Sequence, residues 1–177
     1  GSGGKSDYNK LIFDKSNLIK NFDFYKTNKD TIKLNLEKNF NLRKYKLKNI
    51  LIFNVFEHIY EKEVLIKSIS KSLNKNGKLE VFVPFMYRYH GDPNDYYRFT
   101  HLYLKKFLEK NGFRVKITLI GAGQLNVILE ILYKYFKLDI LKIIISPIFI
   151  LVNKIFYFTS KDFKNYYCGI HCSCIKN

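Results

Sequence analysis

Residues 49–58 read "NILIFNVFEH", an almost unbroken apolar run that ends in Glu57 and His58. A strand with one wet face alternates apolar and polar residues. An unbroken run instead suggests a strand buried on both faces, with its carboxyl end exposed where the polar groups begin. Working outward, "EKEVLIKSISKSLNKNG" (61–77) places Leu65, Ile69 and Leu73 at helical spacing, with Gly77 where a helix stop belongs. "KLEVFVPF" (78–85) reads as the next strand. Thr100 is positioned to cap a helix carrying Leu104, Phe107 and Leu108 on one face and ending at Gly112. "FRVKITLIGAG" (113–123) is then a strand, 123–137 a helix and 166–176 a final strand. Strands alternating with helices predict an α/β fold with a mostly parallel sheet covered on both faces.

The 177 residues suit a single domain spanning 1–177, since 47% are hydrophobic and neither a linker tract nor a repeat divides the chain. A net charge of +16 raises nucleic acid as a partner. Yet the 31 basic residues are spread over every segment, as an AT-rich codon bias would spread them, whereas a nucleic-acid footprint needs them clustered beside stacking aromatics. No nucleic-acid partner is expected.

Cys168, Cys172 and Cys174 fall close together at the end, in "YYCGIHCSCIKN". Their odd number and spacing argue against a disulfide framework and for a reducing, cytoplasmic setting. Cys172 and Cys174 share one face of a strand, and even with His171 nearby they read as buried thiols, so no metal site is expected. The start carries no signal-peptide pattern. The apolar run 138–158 approaches the roughly 20 residues of a spanning helix, but Lys142, Pro147, Asn153 and Lys154 interrupt it. It reads as two amphipathic helices meeting at the proline, which either cap the domain or rest on a membrane surface.

In such a sheet, ligands bind beyond the carboxyl ends of the strands. That rule selects Asn54, Glu57 and His58 after one strand and "PFMYRYHGDPNDYYRFT" (84–100) after the next. The second stretch gathers one His, two Asp, two Arg and four Tyr around Gly91 and Pro93. Near the start, "GSGG" offers a G-x-G turn with Asp23 twenty positions after Gly3. A glycine turn lets a ligand approach the backbone, and an acid at that spacing can accept ribose hydroxyls. An expression scar would look the same.

These stretches resemble the class I, Rossmann-like methyltransferases that use S-adenosylmethionine, in the small-molecule group called type 11. "NVFEHI" resembles the end of that family's fourth strand, and "SLNKNGKLEVFVPF" its following helix, turn and fifth strand. "HGDPNDYYRFT" with "LKKFLEKNGF" resembles a distinctive subgroup. The likeness spans residues 1 to about 123 and the last strand, which is antiparallel in that family. It implies a cofactor loop at Gly1, Ser2 and Gly3. Asp23 would hold the ribose, Asn35 would contact the adenine, and Asn54 would also lie at the cofactor. It further implies a first strand that would precede residue 1, so the chain looks like a fragment.

Under this resemblance, His90 takes the acceptor's proton and His58 is a second candidate, with Glu57 and His58 alternatively organising the strand end. Tyr87, Tyr89, Tyr96, Asp95 and Arg98 line the acceptor side, unless Asp95 and Arg98 pair with each other and Phe99 plugs the core. The expected activity is methyl transfer to a small-molecule, sugar or lipid-linked acceptor. A non-catalytic module of the same fold and an RNA methyltransferase are the alternatives.

Overall fold

The computed structural model describes residues 19–25, 29, 31–91, 93–136, 147–149, 151–155, 157 and 162–177. Among the described residues, six strands and three long helices follow one another as β1 (Asn21–Asp23), β2 (Thr31–Lys33), β3 (Asn49–Phe53), α1 (Lys62–Ser72), β4 (Lys78–Pro84), α2 (His101–Lys110), β5 (Phe113–Ile120), α3 (Gln124–Phe136) and β6 (Gly169–Lys176). The strands β1 and β2 form a parallel pair, and the main sheet runs β3-β4-β6-β5. In that sheet β3 and β4 are parallel, while β6 lies antiparallel between β4 and β5. Three of its four strands therefore share a direction. The fold is Rossmann-like.

Local sequence sets most of the element ends. Thr100 caps α2 by accepting the Tyr103 N–H at 3.2 Å. Gly112 closes α2 at a φ of +89°, a conformation that needs glycine. The helix α1 stops at Ser72, five residues ahead of Gly77, because Leu73 is extended and packs into the core. The strand β3 ends at Phe53 rather than running into Glu57. Asn54 takes the left-handed conformation (φ +52°), donates its N–H to the Phe82 carbonyl, and turns the chain into a short 3-10 helix, Phe56–His58.

The core lies between α1 and α2 and one face of the sheet, where Leu65, Ile69, Leu104 and Leu108 meet Leu79, Val81, Ile170 and Cys172. Cys172 and Cys174 are fully buried there, as the alternation predicts, and burial pushes the Cys172 thiol up to about 12. The same alternation carries His171 to the opposite face, where it pairs with Glu80 rather than with the thiols. Of the two helices expected in 138–158, the first lies outside the described residues. Residues 147–149 and 151–155 are helical.

Candidate functional site

Parallel strands present their carboxyl ends on one edge. Here β3 and β4 deliver the 54–60 turn and the 85–100 loop to the same place. Phe56 anchors the turn. It is fully buried against Phe99 and Phe107, at ring separations of 5.6 and 6.2 Å, and it draws Glu57 inward behind it. The Glu57 backbone carbonyl accepts the Tyr96 N–H at 2.9 Å, which ties the turn to the loop.

The Glu57 side chain is 0% exposed, and neither carboxylate oxygen has a hydrogen-bond partner. Its neighbours are two imidazoles: His58 Nε2 and His90 Nε2 each lie 3.6 Å from Oε1. Burial pushes its carboxyl above the usual range, against the opposing pull of its own backbone amide and, after that, of both histidines. The two rings meet edge to face with centroids 4.9 Å apart. His58 directs Nδ1 to the Asn94 carbonyl at 2.5 Å, and a proton donated there leaves Nε2 as a lone pair facing Glu57. His90 has Nδ1 3.3 Å from both Asp95 Oδ2 and the Arg88 carbonyl, with Nε2 turned the same way.

Asp95 and Arg98 form a clasp. Arg98 grips both Asp95 oxygens through Nη1 and Nη2 and spends its other donors on the carbonyls of Tyr87, Arg88 and Tyr97. All five guanidinium N–H groups thus serve the loop, which leaves none for an anionic acceptor. Those bonds hold the Asp95 carboxyl down at about 2, helped by the His90 N–H it accepts at 2.9 Å. Gly91 is required by close approach, because a Cβ there would lie 2.8 Å from the Tyr89 hydroxyl and 2.9 Å from the Pro93 carbonyl. Phe99 plugs the core beneath the clasp.

The tyrosines are spread over the outside of the loop. Tyr89 is the most open at 70% exposed, Tyr87 stands edge-on to the His90 ring, and Tyr96 packs edge-on to Tyr60. Asp23 is the last residue of β1, and Asn35 follows the carboxyl end of β2. Asp23 Oδ1 accepts the Tyr25 N–H, Asn35 Oδ1 accepts the Glu37 N–H, and Glu37 reaches the Tyr60 N–H at 2.8 Å, which links this corner to the histidine cluster. Asn54 is exposed at the turn. Gly1, Ser2 and Gly3 lie outside the described residues. A groove of about 490 Å³ between the outer sides of α1 and α2, lined by Lys67, Tyr103, Phe107 and Lys110 among others, is separate from the cluster.

The sequence places Glu57 on the ligand edge beside His58 but assigns it no chemical role, only that of organising the strand end, whereas His90 is the expected base. Glu57 is the centre of the cluster. The adjacency of Glu57 and His58 directly after an apolar run was the signal available, but the approach of His90, 33 positions on, was not readable from spacing.

No protein-family model matches the chain, and no curated protein matches it in sequence. In structure it is similar to the 4+2 cyclase SpnF, with a TM-score of 0.50 and 12% identity, over 83% of this chain and 55% of that one. It is also similar to S-adenosylmethionine-dependent methyltransferases from Archaeoglobus fulgidus (TM-score 0.49, 14% identity, 83% of this chain and 67% of that one) and Mesorhizobium loti (0.49, 7%, 82% and 69%). The chain spans about half the length of the cyclase. At these identities the likeness is one of fold.

Proposed function

We propose that the chain forms part of an S-adenosylmethionine-dependent methyltransferase of the type 11 kind, acting on a small-molecule, sugar or lipid-linked acceptor. The observation that carries this reading is the convergence of Glu57, His58 and His90 at the carboxyl edge of β3 and β4, the edge at which a Rossmann-like sheet receives its ligand. In methyl transfer, a lone pair on the acceptor oxygen or nitrogen attacks the sulfonium methyl carbon. The carbon–sulfur bond breaks, and S-adenosylhomocysteine leaves as a neutral thioether. His90 Nε2 takes the acceptor's proton, with Asp95 facing Nδ1 to orient the ring.

Cofactor contacts in this reading are Gly1, Ser2, Gly3, Asp23, Asn35 and Asn54, and Tyr87, Tyr89 and Tyr96 shape the acceptor side. Arg98 and Asp95 hold the loop. The test uses the longest protein that the reading frame encodes. Titration with S-adenosylmethionine by calorimetry should give saturable heat, together with a rise in melting temperature. Neither signal at millimolar cofactor would remove the proposal.

The lipid-linked option rests on an apolar surface. Ile148, Leu151 and Ile155 are exposed on the segment after Pro147, and Ile128, Ile131 and Leu132 are exposed on α3. The two segments are tied by Asn153 Nδ2 donating to Asn126 Oδ1 at 2.7 Å. No described helix is long and apolar enough to cross a membrane. We read this surface as a peripheral membrane contact.

A further inference from the structure

We propose that Glu57, His58 and His90 form a site for one divalent transition-metal ion of the zinc type, with a fourth position open toward the 85–100 loop. The inference goes beyond methyl transfer and does not depend on it.

The donor geometry comes first. Glu57 Oε1 lies 3.6 Å from each of the two Nε2 atoms, and the three ligand atoms all fall within 4.8 Å of one another. Tetrahedral bonds of about 2.0–2.1 Å to nitrogen and oxygen space donors by roughly 3.3–3.4 Å. Its two carboxylate–imidazole spacings are therefore a few tenths of an ångström wider than in a filled site, and closing on an ion would also draw together the third spacing, between the two imidazoles, which lies within 4.8 Å. The cluster is also too wide for hydrogen bonds among its own members, which need about 2.7–3.2 Å.

The second observation is Glu57 itself. A fully buried carboxylate with both oxygens unpartnered is costly unless a positive charge balances it. Among the described residues, the groups within 4 Å of it that can carry positive charge are the same two imidazoles. A cation between the three would neutralise the carboxylate and use both lone pairs.

The outer contacts agree. His58 turns Nδ1 to the Asn94 carbonyl, and His90 turns Nδ1 to Asp95, which Arg98 holds in turn. Such partners set the tautomer that leaves Nε2 free to ligate and orient the ring. Access is from the His90 side, whose side chain is 27% exposed against 0% for Glu57.

Two imidazoles and one carboxylate suit Zn²⁺, Co²⁺ or Fe²⁺ rather than Mg²⁺ or Ca²⁺, which prefer all-oxygen shells. With an ion bound, His90 Nε2 is a ligand and no longer the free base. An acceptor hydroxyl in the open position would then be acidified by the ion instead.

The test uses untagged full-length protein stripped with a chelator. Zn²⁺ is titrated by calorimetry and Co²⁺ by visible absorption, which reports coordination without any activity. One equivalent should bind, and Co²⁺ should give the intense d–d bands of a four-coordinate ion. Glu57→Gln, His58→Ala and His90→Ala should each weaken binding by about 100-fold or more, and Asp95→Asn by about 10-fold. A Cys168→Ser variant should bind as the parent does. Absence of heat and of d–d bands overturns the site, as does undiminished binding in folded His90→Ala, the most exposed ligand and the variant to rely on if Glu57→Gln does not fold. Binding of Co²⁺ without S-adenosylmethionine binding would keep the site and remove the methyltransferase reading. The reverse result would do the opposite.

Discussion

Glu80 and Glu57 both face imidazole nitrogens, yet the two arrangements differ in kind. On the sheet, Glu80 Oε1 accepts the Ser173 hydroxyl at 2.9 Å, and Oε2 lies 2.9 Å from His171 Nε2, with both side chains partly in water. Ser173 sits directly opposite Glu80 across β4 and β6, and His171, opposite Phe82, is its diagonal neighbour on the same face. At the strand ends, Glu57 is wholly buried, held 3.6 Å from two histidines and bonded to neither. A carboxylate whose oxygens lie 2.9 Å from a hydroxyl and from an imidazole is at rest in the folded protein. One buried at a distance from its partners surrounds a place for something else.

The largest effect should come from removing His90. If it takes the acceptor's proton, His90→Ala should lower turnover by about 10²- to 10⁴-fold while S-adenosylmethionine affinity stays nearly unchanged, as single-turnover rates and calorimetry would show. Full activity retained across the neutral range would reduce the cluster to the status of the Glu80 pair.

The clasp should give a smaller, pH-dependent effect. The Asp95 carboxyl is held at about 2 in the folded chain against an ordinary 3.8. A depressed carboxyl stabilises the fold above its unfolded value, so the contribution is complete above about pH 4 and is lost as pH falls through 2. Its size is about 2 kcal/mol. Denaturant melts of the parent and of Asp95→Asn should differ by about that amount near pH 5 and converge near pH 2. A constant difference would mean that the clasp is not electrostatic.

The smallest change should follow from Glu80→Gln or His171→Ala. A partly exposed pair contributes at most about 1 kcal/mol, so melting temperature should shift by a few degrees and Zn²⁺ binding by nothing. A loss of metal affinity comparable to that in Glu57→Gln would erase the contrast between the two carboxylates.

Amino-acid order alone determined where β3 to β6 and the helices lie, because strand and helix periods, the Thr100 cap and the Gly112 stop act between residues a few positions apart. It also marked the edge that carries the polar groups, since an apolar run must end where its strand leaves the core. Three matters were decided only by tertiary structure. Asn54 turned left-handed and ended β3 early, which swung Glu57 inward behind Phe56. Arg98 spent its donors on Asp95 and three loop carbonyls. His90 and His58 were brought to one carboxylate from separate strand connections. Burial and distance between residues 30 or more positions apart depend on how strands pair and how the loop between them packs. No local pattern encodes them.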